Sequence, residues 1–307
     1  MCFTQNFWSL FIGGLANGCL YALIAIGYTL VYGVLRLINF AHSEVFMAGG
    51  FAGYFILEGM VGSRQPQGLS EVGFALLGIL GGALAGGVVA FFLERVAYRP
   101  LRRRHAPRLA FLISAIGASY FLFNLAGKEF GRDAVEVPVT FTGTLFTIFG
   151  AQVQSYYVLI AVSAITMFAF LDRVVALTKL GRGIRAVAED AETASLMGVN
   201  IDRVISQAFV LGGLLGGAAG FLFGISAGVV YTMGFTPALK AFTAAVLGGI
   251  GNIRGAVLGG LTLGVAENLP SACVGASWRD VVAFGILVLV LLFRPTGLLG
   301  ERLGRSA

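Results

Sequence analysis

The long stretches free of charge constrain this chain more than any other feature. No Asp, Glu, Lys or Arg occurs from Met1 to Leu35, and further charge-free runs span Val72 to Leu93, Leu109 to Gly127, Val153 to Leu171 and Val204 to Tyr231. At 1.5 Å per residue each run can cross the roughly 30 Å hydrocarbon core of a bilayer. Backbone groups find no water there, so each run must satisfy its own N–H and C=O groups as a helix. Charged residues are 12% of the chain, about half the share typical of a soluble domain. The expected fold is an all-α polytopic membrane protein with about eight or nine membrane segments, some of them short or discontinuous.

The stretch from Met1 to Val34 has no basic n-region, so it reads as a first span and not as a cleaved signal peptide. Cys2, Cys19 and Cys273 have no metal spacing and imply no disulfide framework. A net charge of +6 suggests nucleic acid only in a soluble chain; in a membrane protein it reports basic cytoplasmic loops. Arg95, Arg99, Arg102, Arg103, Arg104 and Arg108 form one cluster. Arg173, Lys179, Arg182, Arg185 and Arg203 form a second, and Arg294, Arg302 and Arg305 a third. The positive-inside rule makes all three cytoplasmic, which puts the N-terminus outside and the C-terminus in the cytoplasm.

Some segments look too short to span. Val45 to Leu57 is one, and Ala241 to Ile253 and Gly255 to Ala266, on either side of Arg254, are two more. Short, glycine-interrupted segments in both halves of a chain point to a transporter's midplane site; the other reading is full spans with polar residues near their ends. Gly212, Gly216, Gly220, Gly224 and Gly228 recur every fourth residue, as do Gly78, Gly82 and Gly86. Such strips let helices pack closely and say nothing of a solute.

Enzyme signatures are weak. None of Lys128, Lys179 and Lys240 is followed by Ser or Thr, so there is no Walker A loop, and any ATP must be bound by another chain. His42 and His105 are the only histidines and form no HExxH site. Gly181 to Ala186 spells a dinucleotide fingerprint without a preceding strand, and Gly224-Ile225-Ser226-Ala227-Gly228 spells a hydrolase elbow inside a glycine strip.

Two stretches carry more. In the loop from Thr178 to Arg203, Ile184, Val187, Ala188 and Ala191 fall on one helical face, and Gly198 stands where a C′ glycine would end the helix. The acidic cluster Glu189, Asp190 and Glu192 disfavours an anionic membrane surface and favours a helix that docks on a partner. The second stretch is GYTLVYGVLRLINFAHSEVFMAGG, Gly27 to Gly50, where Asn39, His42 and Glu44 interrupt an apolar region. Asn39 suits an N-cap, with His42 then at N3 of a half-helix whose positive end could face a substrate carboxylate. The favoured alternative is that Asn39, His42 and Glu44 hydrogen-bond neighbouring helices and serve packing; the same two readings hold for Glu267 and Asn268.

Glu189-Asp190-Ala191 with Gly198 seven residues on resembles the cytoplasmic "EAA" loop of ABC importer permeases. The Gly27 to Gly50 stretch, ERVAYRPLR (94–102), AEDAETASLMGVNIDRVI (188–205), KAFTAAVLGGIGNIRGAVLGG (240–260) and RPTGLLG (294–300) resemble, in order, the LivH-type branched-chain amino acid permeases. Residues 131–154 fall outside the resemblance. It implies an ABC importer permease fold in a single domain over residues 1–307, lodged in the lipid bilayer of the bacterial inner membrane. It also implies that residues 178–203 couple to the ATPase through Glu189, Asp190, Ala191 and Gly198, while Asn39, His42, Glu44 and Glu267 stand near the translocation path. No cofactor is expected in this chain, since ATP would be bound by two partner ATP-binding subunits. A LivM-like second permease and a periplasmic or lipid-anchored substrate-binding protein complete the implied set, with no nucleic acid. The implied solute is Leu, Ile or Val; related permeases carry urea or short amides. An ATP-independent channel or secondary transporter would have no use for a docking helix.

Overall fold

In the computed structural model the charge-free start of the chain forms one helix, α1 (Cys2–Leu35). The described residues are 2–61, 68–138, 141, 143–148, 150–271, 275–294 and 296–300. Helix α1 ends where Arg36 turns into the left-handed region, at φ 51°. Four more long helices precede the loop at 178: α2 (His42–Val61), α3 (Leu69–Leu93), α5 (Arg108–Glu129) and α6 (Ser155–Leu177). A single π turn at Glu94–Tyr98 continues α3 into the short α4 (Arg99–Arg103). The loop folds as α7 (Lys179–Glu189) and α8 (Ala191–Leu196), followed by α9 (Ile201–Ala227), α10 (Phe235–Gly248), α11 (Ile253–Asn268) and α12 (Arg279–Phe293).

Among the described residues six helices are long and apolar enough to cross a membrane, and α10 with α11 can act as a seventh span, bent by 119°. The expected eight or nine segments are reached only by adding the short helices α10, α11 and α12 to the six. Val45 to Leu57 is not a short segment. It lies within the 20-residue α2, because the first turn of that helix buries His42, Ser43 and Glu44 and extends the helix through them. The other short pair does exist, but it breaks at Gly249 and Gly251, both with positive φ, and not at Arg254.

Helices α1 and α9 form the centre: 67% and 72% of their most apolar windows are buried, against 17% and 22% for α5 and α6. The outer pair therefore presents its apolar surface to lipid or to a partner. Glycine makes the central packing possible. Gly212, Gly216 and Gly220 face Gly27, His42 and Phe46, while a second row on α9, Gly213 and Gly217, meets Gly82 and Gly86 of α3 with no room for a β-carbon on either side. Gly228 is not part of the strip; it ends α9 at φ 76°. Residues 131–154 depart from the all-α expectation, because β1 (Thr144–Ile148) and β2 (Ala151–Gln154) form an antiparallel hairpin.

Contacts at one end of the bundle join segments that are far apart in sequence. Arg36 bonds the end of α7, Arg99, Arg102 and Arg103 bond Asp202, Arg254 pairs with Asp172, and Asn252 bonds Leu299. The first two basic clusters and Arg294 thus belong to the same end. Arg302 and Arg305 lie outside the described residues.

Candidate functional site

The Gly27 to Gly50 stretch forms the end of α1, a turn, and the start of α2. Asn39 is not the N-cap of α2. The helix begins at His42, three residues later, so His42 occupies its first position and not N3. Asn39 has another use. Its Oδ1 accepts from the Ala41 N–H at 3.1 Å, closing an Asx turn, and from the Tyr98 hydroxyl at 2.8 Å. Tyr98 is the last residue of the π turn, a geometry that places both it and Glu94 in the interior. Glu44 Oε1 accepts from Ser43 and from Ser119, each at 2.9 Å. His42 lies between Gly27 of α1 and Gly216 of α9, edge-on to Tyr28 with ring centroids 4.8 Å apart. Its Nε2 is buried without a hydrogen-bond partner. Asn39 Oδ1 and Glu44 Oε1 are thus engaged within the bundle, and among the described residues His42 is the one of the three with a fully buried polar atom that has no partner.

Arg36 joins this turn to the loop. Its guanidinium donates to the carbonyls of Ala188 and Glu189, the last two of α7, at 3.0 and 3.3 Å. A cation there satisfies orphan carbonyls and opposes the negative end of the helix dipole. The loop itself is two helices and not the single one expected. The break falls at Asp190, whose carboxylate accepts from the Glu192 and Thr193 N–H groups and from the Thr193 hydroxyl at 2.6 Å. Those bonds, led by the Thr193 hydroxyl, hold the Asp190 carboxyl below its ordinary range. The short α8 ends as anticipated at Gly198, φ 85°: the Val199 N–H bonds Ala194 O at 3.0 Å, as in a Schellman motif.

The apolar face of α7 does not project outward. Ile184 and Val187 pack with Val204, Ile205, Ala208 and Phe209, so this chain covers them itself. What faces outward is the end of α8, where Leu196 and Met197 are 84% and 81% exposed. Glu189 and Asp190 are exposed, and Ala191 is half-buried.

Glu267, buried in α11, belongs to a second polar cluster. It accepts from the Tyr21 hydroxyl at 2.7 Å and pairs with Lys240 Nζ at 2.9 Å, in a contact whose angle falls outside hydrogen-bond geometry. Lys240 also meets Asp280 at 2.8 Å, which ties α10 to α12. Asn268 donates to the Leu10 carbonyl and so fastens α11 to α1. Sequence reasoning passed over Lys240. The signal was present: it is the one charged residue between Arg203 and Arg254, and an isolated charge in an apolar segment marks a partner. Sequence reasoning also passed over Glu94, fully buried, with Arg102 at 2.9 Å and a short bond from Ser206. Among the described residues no three His, Cys, Asp or Glu side chains gather where a metal could sit.

Buried ion pairs, glycine-packed helices, a bent helical pair and a turn that exposes Leu196 and Met197 suit a membrane transport subunit. Comparison with known proteins agrees. A family described as "Branched-chain amino acid transport system / permease component" matches residues 10–291. The chain is 43% identical over 295 residues to the high-affinity branched-chain amino acid transport system permease protein LivH of Salmonella typhimurium, covering 94% of both chains. It is 41% identical over 296 residues to BraD of Pseudomonas aeruginosa, again 94% of each. A probable LivH of Methanocaldococcus jannaschii is 24% identical over 304 residues, covering 94% of this chain and 91% of the relative. These relatives are permease subunits of transport systems and not enzymes. The chain belongs to the branched-chain amino acid transport system permease family.

Proposed function

We propose that this chain is the transmembrane subunit of an ATP-driven importer for leucine, isoleucine and valine, in the bacterial inner membrane with its N-terminus outside. The observation that carries this reading is the agreement with branched-chain amino acid permeases along 94% of the chain. A LivM-like second permease supplies the other half of the path, and a periplasmic or lipid-anchored binding protein delivers the solute. Two separate subunits bind and hydrolyse ATP; this chain needs no cofactor of its own.

The turn from Asp190 to Gly198 suits the ATPase contact. It presents Leu196 and Met197 to the cytoplasm on a helix fixed at both ends by the Asp190 cap and the Gly198 motif. Movement of this turn reaches the bundle by two connections, Arg36 to the end of α7 and Ile184 with Val187 to the start of α9. Arg36 then leads within three residues to Asn39 and within six to His42. Of the polar residues considered for the path, His42 has the free nitrogen that a solute or water could meet as α1, α2 and α9 shift. Asn39 and Glu44 act as braces. Glu267 borders the path through its pair with Lys240.

The test is uptake by proteoliposomes holding the full importer with its binding protein. ATP-dependent accumulation of labelled leucine, competed by isoleucine and valine and not by urea or acetamide, is the expected result. Accumulation that persists without ATP, or uptake of urea unaffected by leucine, would overturn the reading.

A further inference from the structure

Between the end of α3 with its π turn and the start of α9 lies a cavity of about 570 Å³. Its walls combine two chemistries. Phe91, Leu180, Val210 and Leu211 supply the apolar part of the lining, and Arg95, Arg99 and Arg203 the basic part. Asp202 also lines it, but its carboxylate is already held by Arg99, Arg102 and Arg103, and the nearby Glu94 by Arg102 and Ser206. Five guanidinium groups thus face two carboxylates. Among the described residues neither Arg95 nor Arg203 forms an ion pair, and both are exposed.

The position is as informative as the composition. Arg95 follows the last residue of α3 by two, and Arg203 sits in the first turn of α9, so both arginines stand at the ends of the charge-free runs of two candidate spans. The apolar wall runs back along the same two helices, where Leu214 and Val210 of α9 lie over Gly87 of α3. A free inorganic anion would satisfy the arginines and leave the apolar wall uncovered. A phosphodiester with an acyl chain attached satisfies both walls.

We propose that this cavity binds one anionic phospholipid, with its phosphate between Arg95 and Arg203 and an acyl chain along Phe91, Val210 and Leu211. The lipid touches Leu180 of α7, so it braces the helix that carries the docking turn. The inference holds whichever solute the permease carries.

Native mass spectrometry of the permease titrated with phosphatidylglycerol or phosphatidylcholine tests it. One phosphatidylglycerol should bind clearly more tightly than phosphatidylcholine. At about fivefold per basic contact, R95Q/R203Q should weaken that binding about thirtyfold and erase the preference, while R95K/R203K keeps it. Neither Arg95 nor Arg203 belongs to the Asp202 network, so these variants leave its ion pairs intact. Equal binding of the two lipids, or undiminished phosphatidylglycerol binding by R95Q/R203Q, overturns the proposal. Displacement of the lipid by millimolar phosphate or ATP does so as well, since it would make the cavity a site for soluble anions.

Discussion

Tyr98 and Asn39, 59 residues apart in sequence, meet through a 2.8 Å hydrogen bond in which the tyrosine hydroxyl donates to Asn39 Oδ1. Both are nearly inaccessible to solvent. The bond fixes the turn before α2 against the π turn after α3.

Tyr98→Phe removes that bond and leaves Asn39 with its Ala41 partner, at a cost of about 1 kcal/mol. Asn39→Leu strands two buried donors, the Ala41 N–H and the Tyr98 hydroxyl, at about 1–3 kcal/mol each. Thermal unfolding in detergent should rank wild type above Tyr98→Phe above Asn39→Leu. Uptake per assembled complex should stay near wild type in both. A loss beyond tenfold in Asn39→Leu at normal assembly would make Asn39 a residue of the path.

Arg36 combines a left-handed backbone with the cap on α7. The backbone conformation costs a non-glycine residue about 1–2 kcal/mol, and glycine escapes that cost. Arg36→Gly should therefore be more stable than Arg36→Ala, although both lose the bonds to Ala188 and Glu189. Both should insert normally and show lower leucine-stimulated ATP hydrolysis in the full complex. Normal stimulation in either variant would remove Arg36 from the coupling route.

Gly198, at φ 85°, has open space where a β-carbon would point, so a substitution there acts through the backbone alone. Gly198→Val should distort the end of α8 and weaken co-purification of the ATPase subunits while leaving the permease in the membrane. Gly198→Asn, which tolerates the left-handed region better, should retain most of the docking. Indistinguishable co-purification of Val and Asn variants would exclude this turn as the contact.

How much of this was legible depended on whether a residue acts locally. The charge-free runs announce their helices because the bilayer leaves the backbone no alternative. Gly198 announced its turn because few other residues adopt that conformation without strain. Asn39 misled because cap preference is a local statistic, and the tyrosine that claims its side chain lies on another helix. Ile184 and Val187 misled for a similar reason: amphipathicity reports an apolar face but not who covers it. The π turn at Glu94–Tyr98 has no sequence signature of its own; it follows from burying Glu94 against Arg102 and Ser206 in three dimensions.

The Asp190 cap gives a pH dependence with a definite sign. Its carboxyl lies below its ordinary range in the folded loop, so the stabilisation is complete above the unfolded value near 3.9 and is lost as pH falls through the lower folded value. A spin label at Leu196→Cys should show the same mobility from pH 8 to pH 5 and loosen only below about pH 4. In Asp190→Asn the mobility should not change in that acid window. Loosening of both proteins at the same pH would assign the transition to another group.

Lys240 and Glu267 offer the sharpest separation of stability from transport. Lys240→Met removes one side of a buried pair and leaves the Glu267 carboxylate with the Tyr21 hydroxyl alone. An uncompensated buried charge of this kind costs about 3–5 kcal/mol, so the permease should unfold at a markedly lower temperature and assemble poorly. Glu267→Gln placed in the same chain removes the stranded charge, and its amide oxygen still accepts from Tyr21. The double variant should recover most of the lost stability, because replacing both members of a buried pair is often close to neutral. Leucine uptake per assembled complex then separates the two roles open to Glu267. Recovery together with stability is expected if the pair serves to hold α10, α11 and α1 together. Recovered stability with uptake still down tenfold or more would show that the charges themselves meet the amino acid's ammonium and carboxylate groups.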